Sequence, residues 1–238
     1  MTLIRSAEAL ARAAGVKFVF GRKVGPDLIK AQAPDVVVTA TGGRPMPAPF
    51  PGAELPHVVQ AWDVLADKVD TGHKVVVIGG GAVGCEAALH LARIGTLTPE
   101  EFYFLFVNQA ESPETLYQLS TRGLKEVTLV EMTARIGSDI GQSTGWIIRQ
   151  DVARFGITIM KKTKALEITP QGLVVERAQE KGTLPADTVV LALGTVPENS
   201  LYTAIKDVHP QVINLGDADR PAKAYEAVHL AFAAALEV

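Results

Sequence analysis

Cysteine is almost missing from this sequence: Cys85 is the single one in 238 residues. That excludes an intramolecular disulfide and any C-x-x-C redox pair within these residues. Long apolar runs are missing as well, since none approaches the roughly 20 residues of a membrane span. The first residues lack the basic, apolar and small-residue succession of a signal peptide. Neither sign of charge is in excess: the net charge is −3, and acids and bases alternate along the chain. Nothing therefore resembles a nucleic-acid patch or a polybasic face for an anionic membrane. The five histidines are scattered at 57, 73, 90, 209 and 229, and none sits at metal-ligand spacing from Cys, Asp or Glu. The expectation is a cytoplasmic protein with no membrane, nucleic-acid or metal partner and no catalytic constellation of side chains.

What is present is apolar residue in quantity, 47%, enough for a substantial core, and one organising stretch. Lys74-Val75-Val76-Val77-Ile78 reads as a buried parallel strand. Gly79, Gly81 and Gly84 then fit G-x-G-x-x-G, and Ala87, Ala88, Leu89, Leu91 and Ala92 continue as a helix. Placement between strand and helix is what gives this match its weight. Each glycine has a physical task. Gly79 permits the tight turn, Gly81 lets a pyrophosphate approach the backbone, and Gly84 lets the helix pack close to the sheet. The helix N-terminus offers free N–H groups and a positive dipole end to phosphates. Gly80, Ala82 and Val83 complete the loop.

The second strand of such a unit usually ends on an acidic residue about 20 residues past the glycines. Here Val127-Thr128-Leu129-Val130-Glu131 is the candidate, and Glu131 lies 47 residues after Gly84. Residues 95–123 therefore read as an insertion. Thr98-Pro99-Glu100-Glu101 and Ser112-Pro113-Glu114 carry helix-start chemistry, which predicts two short helices bearing Phe102, Phe104, Leu105, Phe106, Leu116 and Leu119. A self-packed excursion is the plainer reading, because apolar helical faces are usually core; a partner surface is the alternative. Glu131 would accept hydrogen bonds from both adenosine ribose hydroxyls and repel a 2′-phosphate, favouring NAD over NADP. Arg135, four residues on, is a cation that could greet a phosphate, but it is expected to face the ribose rim or solvent.

Elsewhere the pattern predicts a helix over 6–14 and a short strand at Val16–Phe20. A helical turn or two follows over 26–33, and a second buried strand over 35–42. Five prolines in 44–56 make a connector without regular structure and the best candidate for a domain boundary. A short helix spans 61–66, and a longer one 140–155 leads to a strand at 157–160. A hairpin turns around Pro170-Gln171-Gly172. Strands at 187–194 and 212–217 and a helix over 222–236 complete the chain.

The stretch Asp35-Val36-Val37-Val38-Thr39-Ala40-Thr41-Gly42-Gly43-Arg44-Pro45 matches 187–197 at identical offsets in Asp, two Val, Ala, Gly and Pro. The Gly-then-strand segments at Gly15 and Gly156 also correspond. The chain thus reads as two related nucleotide-binding units. Counting back from Gly15 places the first unit's glycine loop upstream of Met1, so that unit is expected to lack it.

These residues resemble the tandem FAD- and NAD(P)-binding part of flavoprotein oxidoreductases of the pyridine nucleotide-disulfide oxidoreductase type. They are most similar to the C-terminal portion of NADH:flavin oxidoreductases of the 2,4-dienoyl-CoA reductase and trimethylamine dehydrogenase kind. The resemblance rests on 39–45, Pro51-Gly52, Gly79 to Glu86, Val127 to Glu131, Ala192-Leu193-Gly194 and Gly216-Asp217. It implies an α/β fold: a Rossmann-like doubly wound parallel sheet over 72–196 that binds NAD(H) through Gly79–Gly84, Glu131 and Gly194. An incomplete FAD-type unit is implied over 1–71 and 197–238, with Thr41, Gly42, Gly216 and Asp217 towards FAD. It also implies, as missing partners, an upstream flavin-binding segment and a flavin-bearing barrel, and an uncovered edge that invites self-association.

Nicotinamide–flavin chemistry needs placement of two rings rather than a catalytic side chain. The expected function is therefore the NAD(H)-binding portion of an FAD-dependent oxidoreductase. The alternative is a catalytically silent nucleotide-binding fragment without FAD. A simple NAD dehydrogenase is weaker, since no general acid is visible.

Overall fold

The computed structural model describes residues 3–238. It divides into two compact units: the chain up to Gly43 together with Pro197–Val238, and Arg44–Val196. The expected first boundary, between 71 and 72, moves to the near side of the proline segment. The reason is the strand Val58–Gln60, which pairs in parallel with Thr188–Leu191 and so ties 44–71 to the second unit's sheet. Apart from the strand Gly43–Pro45, residues 44–56 form loop and turns, as the prolines require.

The second unit is built on a five-stranded parallel sheet. Its order is Val58–Gln60, Thr188–Leu191, Lys74–Ile78, Glu126–Val130 and Thr158–Met160. Strand periodicity sorts the side chains. Val75, Val77, Val127, Leu129 and Val190 face a layer of helices, Ala61–Leu65, Ala82–Ala92 and Gln142–Arg154. Val76, Ile78, Val130, Val189 and Leu191 face the other way. Both faces are buried, which is why these strands read as continuous apolar runs.

The second face is covered by a three-stranded antiparallel sheet rather than by helices. Its strands are Thr163–Thr169, Gly172–Arg177 and Glu180–Pro185, and Ile168, Leu173 and Val175 supply the contact. The sequence predicts only the first hairpin of this sheet. The third strand joins through Ala178 and Gln179, both at positive φ (52° and 68°). A left-handed turn without glycine gives no signal in the sequence.

The insertion forms the two expected helices, Pro99–Val107 and Pro113–Thr121. Thr98 and Glu101 close a capping box, and the Ser112 hydroxyl accepts from the Thr115 N–H. The Thr98 backbone N–H, and then the Thr98 hydroxyl, hold the Glu101 carboxyl below its ordinary pKa. The self-packed reading fails for the first helix, which buries no residue: Phe102, Phe104 and Phe106 are 40%, 63% and 58% exposed. Phe102 and Phe106 stack one turn apart along the surface, 6.1 Å between rings. The second helix buries Leu116 and Thr121.

The first unit has helices Leu3–Ala13, Pro26–Gln32, Ser200–Ile205 and Ala224–Ala235 and two short parallel strands, Val37–Thr39 and Val212–Asn214. The Thr39 hydroxyl donates to Asn214 Oδ1 at 2.7 Å and fixes their register. The predicted strand at Val16–Phe20 is not formed. A strand exists through its neighbours' hydrogen bonds, and among the described residues none lies beside this segment. Its repeat counterpart, Thr158–Met160, pairs with Glu126–Val130.

Candidate functional site

Strand Lys74–Ile78 leads through helix Ala82–Ala92 to its neighbour on one side, Glu126–Val130. Its neighbour on the other side, Thr188–Leu191, arrives more than a hundred residues later. The strand order reverses here, and in open α/β sheets such a switch point is where ligands bind, outside the carboxyl ends of the strands. A cleft of about 480 Å³ lies there, lined by Ile78 to Val83, Val130 to Met132, and Leu191 to Thr195, with Phe50 and Trp62 among its apolar walls. Seven of the eight residues expected to hold a nicotinamide dinucleotide line it: Gly79, Gly80, Gly81, Ala82, Val83, Glu131 and Gly194.

The three fingerprint glycines separate by what a Cβ would meet. Gly79 has φ +103°, and a side chain on it would strike the Ala192 carbonyl. One on Gly84 would strike the Gly79 carbonyl. These two are demanded by the fold, and Gly84 is buried beneath the loop rather than on the cleft wall. Gly81 differs: the atoms nearest to a Cβ there belong to the side chain of Asp139, 3.1 Å to its Oδ2, and none is backbone. The turn and helix do not require Gly81 to be bare, whereas a phosphate approaching the loop does. The loop therefore fits a dinucleotide pyrophosphate, with the helix N-terminus behind it.

Glu131 is half-buried at its strand end. Its Oε2 accepts from the Gly80 N–H at 2.7 Å and its Oε1 from the Thr133 N–H at 2.6 Å. A carboxylate has about four acceptor positions, so ribose hydroxyls can still donate to it. The two backbone bonds lock its orientation. Arg135 is directed elsewhere: with Arg149 and Lys161 it lines a second cavity of about 430 Å³ that does not include Glu131.

Asp139 was not singled out by the sequence. Its Oδ1 and Oδ2 both accept from the Ala82 N–H, at 2.9 and 3.0 Å. Nothing marks it beforehand, because it stands in an irregular loop and acts on a helix 57 residues away. Cys85 is fully buried, and its thiol donates to the Gly80 carbonyl at 3.5 Å. Burial first, then the charges of Asp139, Glu131 and Glu86, push its pKa up to about 11, against a lowering contribution from the Gly137 backbone hydrogen bond. The neutral, enclosed thiol is a packing group and not a nucleophile.

In the first unit, Gly42, Gly216 and Asp217 line one shallow cavity with Ala222 to Ala224. Asp217 Oδ1 accepts from the Ala222 N–H at 3.0 Å. Thr41 stands apart, its hydroxyl donating to the Glu198 carbonyl. Among the described residues no group of three or more His, Cys, Asp or Glu side chains could hold a metal ion, and no helix is long and apolar enough to cross a membrane.

Known proteins match this arrangement. The chain is 40% identical over 227 residues to a metal reductase of Desulforamulus reducens, covering 94% of this chain and 34% of that protein. It is 33% identical over 237 residues to an NADH oxidase of Thermoanaerobacter brockii, covering 97% and 32%. The structure of a 2-naphthoyl-CoA reductase in complex with 2-naphthoyl-CoA superposes with a TM-score of 0.76 at 29% identity, over 95% of this chain and 30% of that one. The chain thus spans about a third of the length of the relatives it matches. The model of the pyridine nucleotide-disulphide oxidoreductase family matches residues 5–212, most of the chain, and the chain belongs to that family.

Proposed function

We propose that this chain is the NAD(H)-binding portion of an FAD-dependent oxidoreductase of the NADH:flavin type, in which hydride passes between NADH and flavin. The observation that carries the reading is Gly81: a glycine that the fold does not require, open towards a cleft at the sheet's switch point. When bound, the nicotinamide supplies the hydride. The protein's part is to bind and orient. The loop N–H groups and the helix N-terminus receive the pyrophosphate, Glu131 receives the adenosine ribose, and Gly194 leaves room along the wall formed by Leu191 to Thr195. On this reading FAD belongs to the longer protein, where Gly42, Gly216 and Asp217 would face it and Thr41 would support the strand end. The names of the relatives, a metal reductase and an NADH oxidase, agree with reductive chemistry drawn from NADH. The substrate-reducing centre is proposed for the part of such a protein that this chain does not span.

Gly81→Val tests the dinucleotide site. A valine there fills the pyrophosphate's approach, and the first group its Cβ meets is the exposed Asp139 side chain. NADH binding, followed by nucleotide fluorescence, should be lost with the circular dichroism spectrum and melting temperature little changed. A folded variant that binds NADH as the wild type does would overturn the assignment. Flavin absorbance of the purified chain separates the FAD-bearing reading from that of a silent nucleotide-binding fragment.

A further inference from the structure

The pyrophosphate's seat already holds an anion belonging to the chain itself. Both Asp139 oxygens engage the Ala82 N–H, the first residue of the fingerprint helix. The same carboxylate is what lies nearest the bare side of Gly81. A carboxylate and a phosphate present similar charged oxygens to such donors, and a helix N-terminus attracts either. The second donor of the loop, the Gly80 N–H, is taken by Glu131. Asp139 differs from Glu131 in its mounting. Glu131 is half-buried at a strand end and held by two backbone N–H groups. Asp139 is exposed, on a loop whose fixed points lie behind it: Ile136 is buried, and the Gly137 N–H bonds the Gly80 carbonyl at 2.6 Å. The Asp139 side chain can therefore turn into solvent while the loop backbone stays anchored.

We propose that Asp139 is a built-in competitor for the dinucleotide pyrophosphate: its carboxylate caps the helix in the nucleotide-free chain and must leave the Ala82 N–H for the nucleotide to bind. This inference rests on the dinucleotide reading above and adds to it a residue that sets affinity. Two costs of binding follow, the charge-assisted hydrogen bond given up and the repulsion between the displaced carboxylate and the incoming phosphates. The same contact stabilises the empty site by satisfying a helix N–H that otherwise has no partner.

The test is NADH titration of the wild type, Asp139→Ala and Asp139→Asn, with thermal melting of each chain without nucleotide. Alanine removes both charge and cap; asparagine keeps an acceptor for Ala82 without the charge. Both variants should bind NADH more tightly, alanine by about tenfold, the scale of a hydrogen bond to a charged group. Asp139→Ala should melt at a lower temperature than the wild type when empty. Inorganic pyrophosphate should compete with NADH at lower concentration in both variants. A residue with a merely structural role would weaken binding and stability together, so the opposite signs are the signature. If the wild type binds NADH and both variants bind it equally or less tightly, the competitor role is overturned and the dinucleotide site stands. If no form binds NADH and Gly81→Val changes nothing, the dinucleotide reading falls and this inference falls with it.

Discussion

Glu131 braces two loops of the fold, and the proposed function gives the same side chain a ligand to meet. Its two backbone hydrogen bonds, from Gly80 and Thr133, join the glycine loop to the loop that follows the second strand. On the proposed reading its remaining acceptor positions would receive a ribose, and its negative charge would oppose a 2′-phosphate. Glu131→Ala should therefore weaken NADH binding while weakening NADPH binding less, narrowing the difference between them by about 1–3 kcal/mol. Parallel titrations of the two nucleotides measure this. An unchanged ratio of affinities would remove Glu131 from selectivity and leave it a purely structural brace. The place of Glu131 at the end of a strand was legible in the sequence because a strand end is a local pattern. Asp139 was not, because its partner is a helix N-terminus reached only through the fold.

At the scale of elements, legibility follows the same division. The strands that read clearly, Lys74–Ile78, Glu126–Val130 and Thr188–Leu191, are buried on both faces, and valine density reports that burial directly. Val16–Phe20 has a strand's composition without a strand's neighbours, and its side chains are exposed: Val16, Val19 and Phe20 at 52%, 62% and 73%. Glu180–Pro185 is a strand by its pairing with Gly172–Arg177, although its own residues are mostly polar. The insertion was legible in its caps and misread in its packing, since helix-start chemistry is local whereas burial depends on what stands opposite. Its ends lie together: the Leu124 N–H bonds the Ile94 carbonyl at 2.8 Å. Replacing residues 96–122 by a short glycine-containing turn should thus leave strand, glycine loop and Glu131 in place, and NADH affinity should stay within about threefold, under 1 kcal/mol. A soluble, folded deletion variant that fails to bind NADH would place the insertion in the site. The exposed phenylalanines add a second readout, because their removal should reduce retention on a hydrophobic column.

Across the whole molecule, core is distributed unevenly. Both apolar clusters lie entirely within residues 44–196, and so does every residue lining the cleft at the switch point. Among the described residues outside that range, only Ile29, Thr39, Ile205 and Ala218 are buried, and the helices Leu3–Ala13 and Ala224–Ala235 bury none. Each buried Val or Leu contributes about 1.5–3 kcal/mol, so the first unit has far less to set against its conformational entropy and should open more readily. Limited trypsin digestion of the 238-residue chain should remove material on both sides of a resistant core close to 44–196, with NADH slowing further cleavage of that core. Expressed alone, residues 44–196 should fold cooperatively and bind NADH within about threefold of the longer chain. Mass spectrometry of the digest and titration of the fragment check the two statements. An initial cut inside 74–131, or a folded fragment without NADH affinity, would mean that the second unit does not carry the nucleotide site by itself.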